Sequence, residues 1–159
     1  MIVLVFVVVG FIRGLGQSLA ISGNPQTALI FSLGMGENLE YSSIPMRTSD
    51  LIPASVEGIR KHFGQKHVSP ELYLGTQVNV GQREASMGLV RGVTRSALLV
   101  RGQVEIEKGD WPATGEVIMG RLAAAKLGAN QVETSIGQFI SFEGRKWKIS
   151  GVFSAGGSA

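Results

Sequence analysis

Hydrophobic and polar positions divide the chain into three unequal stretches. From Met1 to Ile12 every residue except Gly10 is large and apolar, and then Arg13 interrupts the run. Two readings of this opening stand beside each other. Val3 to Val9 suit a buried strand, since β-branched residues pack well on a pleated surface. Ile12, Leu15 and Leu19, however, recur at three- and four-residue spacing, which is helical. A membrane-crossing helix needs about 20 apolar residues, more than this run supplies. The preferred reading is the last turns of a transmembrane helix. It leaves the bilayer near Arg13 and continues through Phe11 to Ser18 as a short stalk, with Gly14 and Gly16 as points of softening. A secretion signal is disfavoured, because Ile2 follows Met1 with no basic segment before the apolar run.

After the break Ser22-Gly23-Asn24-Pro25 the pattern turns to short alternating runs. Thr27 to Leu33 predicts a first strand, ended by Gly34-Met35-Gly36. Ser49 or Asp50 caps a helix reaching about Phe63, with Pro53 in its first turn and Gly64 as the stop. His67 to Val80 alternates with period two: Leu72, Leu74, Thr76, Val78 and Val80 lie on one face, and Tyr73, Gly75, Gln77 and Asn79 on the other. A connection at Gln82 to Ala85 leads into a second strand, Ser86 to Val93. Further strands are expected at Leu98 to Ile106 and Gly115 to Gly120. A turn lies at Lys108 to Pro112, and a short alanine-rich helix at Arg121 to Leu127 stops at Gly128. The clearest hairpin pairs Gly137–Glu143 with Arg145–Phe153, turning at Glu143-Gly144 and facing Trp147, Ile149 and Phe153 away from Lys146, Lys148 and Ser150.

Composition alters this picture little. Of 159 residues, 44% are hydrophobic and 17% charged, so one globular domain with a modest core is expected. The 22 glycines have no triplet period and mark turns. A net charge of +3 gives no footprint for a nucleic-acid reader. Arg145-Lys146-Trp147-Lys148 mixes an aromatic with cations, but alternation puts Trp147 on the opposite face, so no nucleic-acid partner is expected. The absence of cysteine removes disulfides and thiolate metal sites.

Candidate chemistry is sparse. His62 and His67 form a weak pair, with Glu71 as the nearest third ligand, and read better as surface histidines. Gly14-Leu15-Gly16 and Gly34-Met35-Gly36 lack the third glycine of a dinucleotide loop, and no P-loop string occurs. Glu105 and Glu107 share a strand face with Arg101 and Lys108 nearby, an ordinary solvated edge. No Ser/His/acid set assembles. Catalytic, cofactor-binding and metal residues are therefore all assigned as none, substrate-binding residues are unassigned, and no cofactor is expected.

Four strings carry a family resemblance: the apolar helix end running into Ile21-Ser22-Gly23-Asn24-Pro25; Gly88 to Thr94; Gly115 to Gly128; and Gly137 through Ile149-Ser150-Gly151-Val152-Phe153. In their order and spacing the chain resembles the periplasmic core domain of MacB/FtsX-type bacterial ABC-transporter permeases. The resemblance implies an α+β fold: a mixed sheet with short helices, a periplasmic porter-like domain, preceded by the truncated end of a transmembrane helix. Residues 1–20 would be helix end and stalk, and 26–159 an incomplete core domain lacking its second part and the later membrane helices. It implies a non-catalytic part that couples the motion of a separate ABC ATPase subunit or domain to substrate export or release. It also implies a permease dimer, a periplasmic partner protein in some systems, and a place at the bacterial inner membrane. The alternative is a soluble α/β binding module with no membrane anchor.

Overall fold

Period-two alternation in two hairpins generates most of the sheet. The computed structural model describes residues 2–22, 26–32 and 41–155, with side chains in the first helix described from 3 to 13. That helix, α1, is Ile2–Ser22. Two short elements follow: α2 (Thr48–Ser55), and a small hairpin of β1 (Lys61–His62) and β2 (Gln65–Lys66). The main body holds β3 (Glu71–Val80), β4 (Ser86–Val93), α3 (Ala97–Val100), β5 (Val104–Gly109), β6 (Glu116–Gly120), α4 (Ala123–Lys126), β7 (Phe139–Phe142) and β8 (Arg145–Ala155).

Antiparallel pairing of β3 and β4 runs from Glu71↔Val93 to Val78↔Ser86. β7 and β8 pair antiparallel from Phe142↔Arg145 to Phe139↔Lys148. Their turn, Glu143-Gly144, has φ of 49° and 69°, the doubly positive geometry whose twist matches flanking strands. Val80↔Ile140 and Asn79↔Ser141 join the two hairpins. The six-stranded sheet is ordered β4-β3-β7-β8-β5, with β6 also paired to β8. β5 is antiparallel to β8, whereas β6 is parallel to it, so the sheet is mixed.

One face of this sheet makes the core. Val78, Val80, Met119, Leu127, Ile140, Phe142 and Ile149 form a buried cluster, with Val90, Val117, Ala123, Ala129 and Trp147 packed against it. Ile149 is fully buried, at 0% exposure, and burial of such a side chain contributes about 1.5–3 kcal/mol. Phe142 and Trp147 stack with ring centroids 5.0 Å apart. The single turn of α4 closes the cluster through Leu127, whose N–H donates to the Ala123 carbonyl at 2.9 Å. Gly128 then reverses the chain at φ 64°. Arg83, in the β3–β4 loop, donates to both Glu133 carboxylate oxygens (3.1 and 3.0 Å) and to the Gly128 carbonyl. These bonds pin the loop beyond α4 to the sheet.

Several sequence expectations are corrected. Thr27 to Ser32 belong to no strand, although β-branched and apolar; they lack a ladder partner, and the Ser32 N–H donates instead to Ser42 Oγ at 2.9 Å. Leu33 to Glu40 lie outside the described residues, as does the Gly34-Met35-Gly36 stop. The helix expected from Ser49 or Asp50 to Phe63 begins earlier and ends at Ser55. Pro53 thus falls beyond the first turn, where its missing N–H and its ring disfavour continuation, and Val56 is already extended at φ −108°, ψ 123°. The strand expected from His67 starts at Glu71, just after Ser69-Pro70. Leu98 to Val100 are helical: the N–H groups of Ala97, Leu98 and Leu99 donate to the carbonyls of Thr94, Arg95 and Ser96, which starts a tight turn, and the strand follows only at Val104. Lys108 and Gly109 complete β5 rather than opening a turn.

The opening stretch is a helix, so a central strand at Val3 to Val9 is excluded. The helix continues unbroken through Gly14 and Gly16. Val3 to Val9, Phe11 and Ile12 are all exposed. Among the described residues no helix is long and apolar enough to cross a membrane.

Candidate functional site

The residues weighed for chemistry do not come together. His62 lies exposed in β1, its ring edge-on to Phe63 at 4.3 Å. The His67 backbone N–H donates to the Arg60 carbonyl, extending the small hairpin, and its Nε2 is buried without a partner. Glu71 turns elsewhere. Among the described residues no group of three His, Asp or Glu side chains could hold a metal. Glu107 pairs with Arg121 at 3.2 Å, and Arg101 engages Glu71 rather than the Glu105/Glu107 edge.

Glu71, at the start of β3, is paired with two arginines. Arg101, the C-cap of α3, donates from Nε to Oε1 and from NH2 to Oε2, both at 2.8 Å. Arg91 of β4 donates to Oε2 at 3.0 Å and lies 4.9 Å from the Tyr73 ring centroid. Partial burial pushes the Glu71 carboxyl up, but the hydrogen bonds and charges of Arg101, then Arg91, more than offset this and hold it below the ordinary range. The fork fixes α3 against the outer edge of the sheet and acts as a clamp.

At the other end of the sheet, Arg145, Lys146 and Lys148 are exposed while Trp147 turns inward, as alternation predicts. Thr114, Gly115, Arg145, Lys146 and Trp147 line a shallow open cleft. Glu116 pairs with Lys148 at 3.2 Å. The Ala113 N–H, and then Lys148, hold the Glu116 carboxyl below its usual range. The cleft holds no convergent acid, base or nucleophile.

Among the described residues, two exposed apolar features stand out. The first is the apolar circumference of α1. A helix hydrophobic all round belongs in lipid or in a large core, and its described side chains have no core around them. The second is the β1–β2 hairpin. Its turn, Phe63-Gly64, has φ of 45° and 80°, and Phe63 is 98% exposed. Sequence reading placed Phe63 at the end of a helix and so missed this tip. No sequence signal marked it: two-residue strands carry no alternation, and Gly64 serves equally as a helix stop.

The described residues form a mixed sheet with short helices packed beside it, preceded by an apolar helix. The MacB-like periplasmic core domain family matches residues 2–159, and the chain belongs to it. The family is a non-catalytic, extracytoplasmic domain of inner-membrane transporter permeases, which places this sheet on the periplasmic side. The periplasmic region of MacB from Actinobacillus actinomycetemcomitans is similar, with a TM-score of 0.57 at 16% identity, over 79% of this chain and 57% of that one. A domain described as part of a permease of Porphyromonas gingivalis gives 0.48 at 16% identity, over 67% and 44%. The extracellular domain of the noncanonic ABC-type transporter YknZ from Gram-positive bacteria gives 0.46 at 16% identity, over 62% and 51%. The MacB likeness shows a shared fold, and this chain spans 57% of that region's length. No curated protein matches the chain.

Proposed function

We propose that the chain is the extracytoplasmic part of an ABC-transporter permease, passing ATPase-driven motion from the membrane to the export or release of a substrate. Residues 1–20 are the end of a transmembrane helix and its stalk, leaving the bilayer near Arg13, and 26–159 are part of the periplasmic core domain. The observation that carries this is α1: a continuous helix, apolar and exposed all round from Val3 to Ile12, in a chain whose family match begins at residue 2. A helix unbroken through Gly14 and Gly16 is stiff enough to transmit displacement. A sheet whose β8 pairs with β5, β6 and β7 moves as one body. The ATP-hydrolysing partner is a separate ABC subunit or domain, the permease works as a dimer, and a periplasmic protein receives the substrate.

Membrane fractionation and protease protection of the full-length gene product test the reading. The domain is expected in the membrane fraction, accessible only from the periplasmic side. Recovery solely in the cytosol overturns it. A shortened chain starting at Gln26 is expected to be more soluble with its sheet intact.

A further inference from the structure

The small hairpin carries a cost that nothing in the described fold offsets. Its two-residue turn has positive φ at both positions, a geometry that favours Asn-Gly. Phe63 occupies the first of them, where a left-handed backbone costs a residue with a Cβ about 1–2 kcal/mol. The ring gains no burial there, being 98% exposed and touching only the edge of His62. Lys61 and Lys66 are direct cross-strand partners, and like charges placed opposite one another destabilise a strand pair. Lys66 Nζ turns to the Pro53 carbonyl, while Lys61 makes no described ion pair or hydrogen bond. Strain, an exposed aromatic and opposed cations at one tip point to a ligand that the tip meets outside the fold.

The position of the tip and the chemistry of its surroundings indicate which ligand. Arg60, at the hairpin root, donates from NH2 to Gln26 Oε1 at 2.7 Å. Gln26 lies four residues beyond Ser22, the last residue of α1, so the chain lets these points separate by at most about 14 Å. The root is thus tethered to Ser22, the far end of the stalk, which stands about 14 Å along the helix from Arg13. The same stretch of chain exposes Met46, Leu51 and Val56. An aromatic knob with Lys61 behind it, in a stretch of chain that exposes other apolar side chains and is tethered to the stalk of a lipid-bound helix, matches an anionic bilayer surface: the ring enters the headgroup boundary and the Lys61 ammonium meets lipid phosphates.

We propose that the Phe63 hairpin is a foot that rests on the anionic periplasmic surface of the membrane that α1 enters, fixing the tilt of the domain above its helix. This rests on the reading of α1 as a membrane anchor, so the test reports on the two separately. The chain has no cysteine, and Phe63→Cys, Val8→Cys and Met87→Cys each give one labelling site for an apolar, polarity-sensitive fluorophore, which at position 63 stands in for the ring. The labelled full chains are reconstituted into vesicles of phosphatidylcholine, with or without phosphatidylglycerol, and challenged with the neutral quencher acrylamide.

The expected result is a blue-shifted, shielded label at position 63 only with phosphatidylglycerol, a label at position 87 in water throughout, and a label at position 8 in hydrocarbon in both. Adding Lys61→Gln should weaken the position-63 contact about fivefold, the value of one cation near an anionic surface. A position-63 label in water while the position-8 label is in hydrocarbon overturns the foot and leaves the anchor standing. Shielding that ignores lipid charge and follows protein concentration also overturns it, assigning the tip to a protein pocket. A position-8 label in water overturns the anchor and the foot together.

Discussion

Gly109 and Gly151 are direct partners across β5 and β8, and neither has room for a methyl group. A Cβ on Gly151 would stand 2.7 Å from the Lys108 carbonyl oxygen and 3.0 Å from that of Asp110; one on Gly109 would stand 2.8 Å from the Gly151 Cα. Gly109 also has φ 74°. The ladder shifts register between Ile106 and Lys108 just before this pair. The contact lets β5 leave β8 while the Asp110 N–H still donates to the Ser150 carbonyl at 3.1 Å. Gly151→Ala should lower stability by about 1–3 kcal/mol, as overpacking does. Gly75→Ala, with nothing within 4 Å of the added carbon, should be neutral or gain up to about 1 kcal/mol. Urea midpoints of the two variants check both signs.

Ile149 is the centre of the core, so Ile149→Ala should cost about 2–5 kcal/mol through lost burial and the remaining cavity. Met87, exposed on β4, should tolerate alanine within about 0.5 kcal/mol. Thermal unfolding of the pair separates core from surface on neighbouring parts of one sheet.

The Glu71 clamp should appear as acid sensitivity. Its folded carboxyl sits below the reference value of 4.5, so the stabilisation is fully present above the unfolded pKa and is lost as pH falls through the folded one. Both arginines are 40% exposed, which limits the contribution to about 1 kcal/mol or less. Glu71→Gln should be less stable than the parent at neutral pH, and the two curves should converge at low pH. Parallel curves across the whole range would contradict the clamp.

Phe63→Asn should raise stability by up to about 1 kcal/mol, because Asn tolerates the left-handed backbone that Phe63 adopts. The same change should abolish shielding of a probe at the adjacent position, His62→Cys, in anionic vesicles. A gain in stability accompanied by a loss of lipid contact is the signature of a residue kept for contact rather than for folding.

Where alternation and turn chemistry agreed, the fold was legible in the sequence. Glu143-Gly144 lies between two runs of period two, and the β7–β8 hairpin follows with Trp147 and Ile149 inward. Ser86 to Val93 was bounded correctly for the same reason. Leu98 to Val100 and Thr27 to Ser32 were misread because a short apolar run without alternation fits a strand or a helical turn equally, and only the Thr94 and Arg95 carbonyls, or an absent partner, decide. The β1–β2 hairpin was invisible because two-residue strands carry no period. The resemblance to a periplasmic permease domain was carried by strings, such as Gly115 to Gly128 and Gly137 to Phe153, that build the core. The Phe63 tip lies outside those strings and became legible only once its exposure and dihedral angles were known.

The pairing of β8 with three other strands has a consequence for the order of folding. Arg145–Ala155 pairs with β5, β6 and β7 and supplies Ile149 to the core, so the nascent polypeptide has no template on which to close its sheet until its residues near 150 emerge. Until then β3 and β4 can already pair, while β5 and β6 wait for β8, the strand that both of their ladders use.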